Sequence, residues 1–175
     1  MSLSLWQRIQ EDDLEAFDEF YHLYVSDLYN YGMSIAKQES IVDESIQLLF
    51  TRLYNKRSTI SINTSPKSYL LTSLRRLIIE QLGQLNNFEE IDFKNDFEFS
   101  EHSYEDKLVE EDGKKEDIDK LNSAKEHLTK RQKEIIFLKF NEELSYDEIS
   151  VVMSITKEAA YKLVNQAIKR LTENF

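Results

Sequence analysis

The chain of 175 residues contains no cysteine, one proline and three glycines. Without cysteine there is no disulfide framework, no thiolate zinc site and no cysteine nucleophile. The glycines, at 32, 83 and 113, stand alone. A phosphate-cradling glycine loop and a dinucleotide fingerprint are therefore excluded, which argues against nucleotide-dependent enzymes. No stretch approaches the ~18 apolar residues that cross a bilayer. The opening MSLSLWQRIQEDD also lacks a basic segment followed by an apolar run, so the expectation is a cytoplasmic protein without membrane insertion. His22, His102 and His127 are far apart and lack metal-ligand spacing, so neither a metal nor another cofactor is expected. No nucleophile, base and orienter can be assembled. The expected protein is not an enzyme and has no small-molecule substrate.

What the chain does have is leucine, isoleucine, glutamate and lysine, a composition that favours helices, and a net charge of −11. That charge is unevenly spread. Residues 1–85 carry 8 basic and 11 acidic side chains, residues 86–122 carry 5 and 14, and residues 123–175 carry 9 and 8. Two nearly neutral modules thus flank an acidic segment of net −9, whose composition is that of a solvated linker with scattered aromatics. Extended at about 3.3 Å per residue, it would span roughly 120 Å. The two modules could then reach separate sites on one partner. The acidic segment is further expected to compete with nucleic acid for basic surfaces, those of Arg75, Arg76 and Lys162 included.

In the first module, Leu5, Trp6 and Ile9 suggest a short leading helix. Asp12, with Glu15 three residues on, is a candidate cap for a helix along which Phe17, Phe20, Tyr21, Tyr24, Val25 and Leu28 recur at three- and four-residue steps. Ser40 is a candidate cap for a second, lined by Val42, Ile46, Leu49, Phe50 and Leu53. Ser65–Pro66 places the only proline at the first position of a third, where its missing N–H is harmless. Leu70, Leu74, Leu77, Ile78 and Leu82 form that helix's apolar stripe, with Lys67, Arg75 and Arg76 as its cations. The result is a three- to four-helix bundle. Aromatics at this spacing are ordinarily core, and Arg75 and Arg76 are ordinarily solvated.

In the second module, Thr129 with Gln132 and Ser145 with Glu148 form two capping boxes. The first opens a helix expected to run through Phe140 and to end at Asn141. The second opens SYDEISVVM. A turn at Ser154–Ile155 then leads to a final helix capped by Thr156, with Ala160, Leu163, Val164, Ala167 and Leu171 on its apolar face. A short helix, a tight turn and a longer helix make a helix-turn-helix, whose second helix suits the major groove. Lys157, Lys162, Lys169 and Arg170 suit phosphates, Asn165 and Gln166 suit adenine, and Tyr161 suits a thymine methyl or a phosphate. Spacing alone also fits a three-helix packing unit that binds no DNA.

LTKRQKEIIFLKFNEELSYDEISVVMSITKEAAYKLVNQAIKRL resembles the carboxy-terminal domain of bacterial sigma factors of the extracytoplasmic-function group. LEAFDEFYHLYVSDLYNYG, VDESIQLLFTRLY and SPKSYLLTSLRRLIIEQL resemble that group's amino-terminal domain, in the same order. The resemblance implies an all-α protein of two small domains, 1–85 and 123–175, joined by the linker 86–122. It implies core RNA polymerase and promoter DNA as partners, with an anti-sigma factor as a further candidate. The first domain would open and read the minus-ten element, and the second would read the minus-thirty-five element. Glu44, Gln47 and Phe50 match the helix that docks on the polymerase clamp. Tyr69 stands in place of the usual tryptophan, and Arg75 and Arg76 fall where melting contacts arise. Thr156, Lys157, Glu158, Tyr161, Lys162, Asn165 and Lys169 match the major-groove helix and its backbone contacts. The chain departs from the pattern at Leu48, Arg76, Gly83, Gln84 and Gln166, each of which removes or alters an expected contact. Those departures keep a second reading open, a sigma-like interaction protein that binds polymerase or a regulator with weakened DNA reading.

Overall fold

The computed structural model describes residues 2–62, 65–85 and 123–173, and every element among them is helical. The chain divides into two units, one within residues 1–91 and one within 92–175. The expected linker, 86–122, lies outside the described residues. No described helix is long and apolar enough to cross a membrane.

The leading helix, α1 (Ser2–Gln10), buries Leu5, Trp6 and Ile9, and the Trp6 ring lies 5.8 Å from that of Phe20. The cap of α2 (Leu14–Ala36) is Asp13, one residue later than expected. Asp12 adopts a left-handed backbone (φ 67°), not the extended one a cap needs, and its carboxylate pairs with Arg57. Asp13 Oδ1 accepts from the Ala16 amide at 3.0 Å. That bond, and then the Arg8 guanidinium, hold the Asp13 carboxyl below the usual carboxylate range. The expected cap at Ser40 is also displaced: α3 (Glu39–Asn55) starts earlier, at Gln38, whose side chain makes no capping bond. At α4 (Pro66–Leu85), Ser65 Oγ accepts from the Ser68 amide at 3.2 Å, as the Ser–Pro pair predicts.

The stripes drawn on α3 and α4 are buried as expected, except Leu82, which is half-buried. Tyr31, Leu71 and Ile79 join them. Helices α2, α3 and α4 pack on one another, with α1 against α2. The approach of α2 to α3 is close at Gly32, where an added Cβ would lie 2.7 Å from Val42 Cγ1 and 3.3 Å from Ile78 Cδ1. Val42 is β-branched and stiff in a helix, so the backbone would have to yield. For Gly32→Ala, overpacking of about 1–3 kcal/mol outweighs the roughly 1 kcal/mol that alanine returns in helix propensity. A net loss near 1 kcal/mol lowers Tm by roughly 4–8 °C for a unit of this size. A thermal melt with Tm unchanged or raised would show that α3 gives way freely.

The second unit contains a helical turn at 123–126, then α5 (Lys130–Ile136), a π-helical stretch (Phe137–Asn141), α6 (Tyr146–Val152) and α7 (Lys157–Glu173). The helix expected to run regularly to Asn141 therefore changes its winding at Phe137. The Glu142 amide reaches back to the Phe137 carbonyl at 3.1 Å, a five-residue step. The change falls within four consecutive buried apolar residues, Ile135–Leu138. The left-handed residue that closes the stretch is Glu143 (φ 55°), not Asn141.

Candidate nucleic-acid interface

Both capping boxes of the second unit form. Thr129 Oγ1 accepts from the Gln132 amide at 3.3 Å, and Gln132 Oε1 accepts from the Thr129 amide at 3.0 Å. Ser145 Oγ accepts from the Glu148 amide at 3.3 Å, and Glu148 Oε2 accepts from the Ser145 amide at 2.8 Å. These bonds satisfy amides that the first turn of each helix leaves without intrahelical partners. The turn between α6 and α7 closes through Ser154 (φ 53°) and a bond from the Ile155 amide to the Ser150 carbonyl at 3.0 Å. Thr156 Oγ1 then accepts from the Ala159 amide at 3.1 Å, so the expected cap is in place.

Burial orients α7. Ala160, Val164 and Ala167 are 0–2% exposed, α7 packs on both α5 and α6, and Ala167 clusters with Leu128 and Ile136. Ala160 is fully buried, as its expected inward position requires. Gln132 ties the far end: its Oε1 also accepts from Arg170 Nη1 at 3.2 Å.

With that face buried, Glu158, Tyr161, Lys162, Asn165, Gln166 and Lys169 are all exposed. Helical spacing puts Glu158, Lys162, Asn165 and Lys169 in one row, with Tyr161 and Gln166 on its flanks. The row carries amide, carboxylate and ammonium groups suited to base edges and phosphates. Lys130, Arg131 and Lys162 rim a groove floored by Leu128, Ile155 and Leu163. Among the described residues, no group of three His, Asp or Glu is placed to hold a metal.

Lys157, expected to contact the DNA backbone, has an ionic partner: its Nζ lies 2.7 Å from Asp147 Oδ2. The pair suits both helices. An acidic group near the start of α6 is favoured by the helix dipole, whereas a cation at the start of α7 is not, and Asp147 offsets it. Being exposed, the pair contributes only about 0–1 kcal/mol. Asp147→Asn should therefore barely change stability while freeing Lys157 for phosphate. Duplex binding by the free protein at low salt should rise, with the slope of log K against log salt steeper by about one. An unchanged slope would mean that Lys157 meets no phosphate.

In the first unit the expected site residues separate by burial. Glu44 and Gln47 share the exposed face of α3. Phe50 lies 5% exposed in the packing between α2 and α3, its ring edge-to-face with Tyr21 at 4.8 Å and Phe17 at 6.1 Å. It does not join Glu44 and Gln47 on the outer surface. Its aromatic character fits the core as well as a contact, so sequence alone did not separate the two. Tyr69 is half-buried and Arg76 exposed, whereas Arg75 is 8% exposed and already engaged. The expectation of paired surface arginines is corrected to Arg76 alone.

Two residues that the sequence reading passed over touch this interface: Asp147, through Lys157, and Tyr146, whose ring lies 5.4 Å from that of Tyr161. Both follow the Ser145 cap directly. Their partners are ten and fifteen residues away, a separation that only the turn between the helices brings together.

Residues 118–171 match the family model described as "Sigma-70, region 4". No curated protein matches the chain in sequence. Solved structures share the fold, among them the following two. One is the sigma factor RpoE in complex with the anti-sigma factor NepR from Bartonella quintana, at 17% identity and TM-score 0.65, covering 91% of this chain and 96% of that one. The other is CnrH in complex with the cytosolic domain of CnrY, at 14% identity and TM-score 0.62, covering 97% and 94%. The carboxy-terminal unit thus matches sigma-70 region 4 in sequence, and the chain as a whole shares its fold with the two solved structures.

Proposed function

We propose that the protein binds core RNA polymerase, directs it to particular promoters and assists DNA melting, and that it carries out no catalysis of its own. The observation that carries this reading is the exposed polar row of α7, Glu158 to Lys169, in a unit that matches sigma-70 region 4. Domain 123–175 would read the minus-thirty-five element through this row and through Thr156 and Lys157. Domain 1–85 would dock on polymerase through Glu44 and Gln47 and meet the minus-ten region through Tyr69 and Arg76, with Phe50 and Arg75 supporting from within. The acidic segment 86–122 would join them. The partners are then core polymerase and promoter DNA, and the place of action is the cytoplasm. An anti-sigma factor is a further partner, by analogy with the RpoE–NepR complex.

A carboxy-terminal unit with 9 basic and 8 acidic side chains is a weak DNA binder by itself. Affinity is thus expected to come from polymerase and selectivity from α7. Run-off transcription with core polymerase on a genomic promoter pool tests the reading. Initiation from a set of promoters sharing a motif is expected, and initiation at none would overturn it. The second reading, an interaction protein with weakened DNA reading, is favoured by the engagement of Arg75 and the pairing of Lys157 with Asp147. Chromatin mapping separates the two, since an adapter would show no shared motif beneath its peaks.

A further inference from the structure

Tyr161 is the largest side chain on the exposed part of α7, at 55% exposure, and among the described residues its ring neighbour is Tyr146. The two rings stand edge-to-face, 5.4 Å apart at 64°, the arrangement that ring quadrupoles favour. Tyr146 is in turn held on two sides. Its backbone opens α6 directly after the Ser145–Glu148 capping box. Its ring carries Lys139 Nζ at 4.8 Å from the centroid, and the same ammonium donates to the Leu144 carbonyl at 3.1 Å. Lys139 belongs to the π-helical stretch. A continuous line of contacts thus runs from the π stretch through Lys139 and Tyr146 to Tyr161.

We propose that Tyr146 is a positioning residue for base reading: it holds the Tyr161 ring in one rotamer on the reading face of α7, where the ring meets the C5 methyl of a thymine in the major groove. This deepens the proposed function and rests on it. An exposed tyrosine on a helix has two accessible χ1 wells, and an unheld ring divides itself between them. An edge-to-face partner biases that choice by about two- to tenfold. Ordering that is complete before binding does not have to be supplied by the DNA contact. The thymine methyl is an apolar feature that distinguishes T·A from the other pairs in the major groove, and an aromatic edge fits it.

The test uses the full chain with core RNA polymerase on a promoter library carrying every base at each position of the minus-thirty-five element, read as relative initiation. Tyr161→Ala should abolish the preference for thymine at one position. Tyr146→Ala should weaken the same preference by about two- to tenfold and leave the other positions unchanged. Tyr146→Phe, which keeps the ring edge, should retain it, and the double alanine variant should be no worse than Tyr161→Ala alone. A Tyr146→Ala variant that keeps full preference where Tyr161→Ala loses it would overturn the inference. So would a uniform loss at all positions accompanied by a lowered Tm, which would mark Tyr146 as merely structural. If Tyr161→Ala changes no position, base reading by Tyr161 fails and the inference fails with it, while promoter selectivity by the chain survives. If the unsubstituted chain initiates nowhere, both fall together.

Discussion

Ala160→Glu is expected to unfold the carboxy-terminal unit. Ala160 has no exposed surface and lies on the buried face of α7, the helix that packs on α5 and α6. A glutamate there adds volume to a closed contact, which costs about 1–3 kcal/mol, and also buries a carboxylate with no prepared partner, which costs several more or forces it to protonate. A unit of some fifty residues has about 3–7 kcal/mol of stability in all. The substitution should consume it, and amide protection across residues 128–171 should vanish in hydrogen exchange. Ala159→Glu is the matched comparison. Ala159 is exposed beside Lys162 and Leu163 on the groove wall, so the same change one residue earlier should stay within about 0.5 kcal/mol. If the two variants exchanged alike, the orientation of α7 described above would be wrong.

Asn165→Ala should produce the largest functional loss that leaves the fold intact. Asn165 lies mid-row on the exposed face of α7. A bidentate amide contact to adenine is worth about 1–3 kcal/mol of discrimination, so initiation at the preferred promoter should fall roughly 5- to 150-fold and the preference should flatten at one base pair. Lys162→Ala should behave differently. Loss of a phosphate contact weakens all sequences alike and lowers the salt slope by about one. The expected pair of results is therefore a position-specific loss for Asn165 and a uniform, salt-sensitive one for Lys162. If Asn165→Ala lowered initiation equally at every sequence, the assignment of base reading to this row would fail.

Much of this architecture is written in local chemistry. The capping boxes at Thr129 and Ser145, Thr156 as a cap and the Ser65–Pro66 start form as the sequence predicts because each needs only residues three positions apart or fewer. The apolar stripes also survive, since a period of 3.6 in leucine and isoleucine leaves one way to bury them. Two caps lie one or two residues from the expected positions: the left-handed backbone of Asp12 leaves the cap of α2 to Asp13, and α3 starts from Gln38 instead of Ser40. The π winding at Phe137 carried no separate signal, because four consecutive apolar residues are as compatible with a plain helix.

The site divides along the same line. Which residues lie on the α7 row follows from period and composition alone, since the inward positions Ala160, Val164 and Ala167 determine the outward ones. What those residues are free to do does not. Phe50, a polymerase contact by resemblance, is buried as its apolar stripe requires, and Arg75, expected in solvent, is buried too; Lys157 looks like a phosphate ligand and is paired with Asp147; Tyr161 looks solitary and leans on Tyr146. The sequence by itself determined the helices, their caps, the helix-turn-helix and the outward face of its second helix, because those depend on neighbours within a few residues. Only the tertiary structure decided which of those groups are engaged, because burial and charge pairing are settled by residues ten or more positions away.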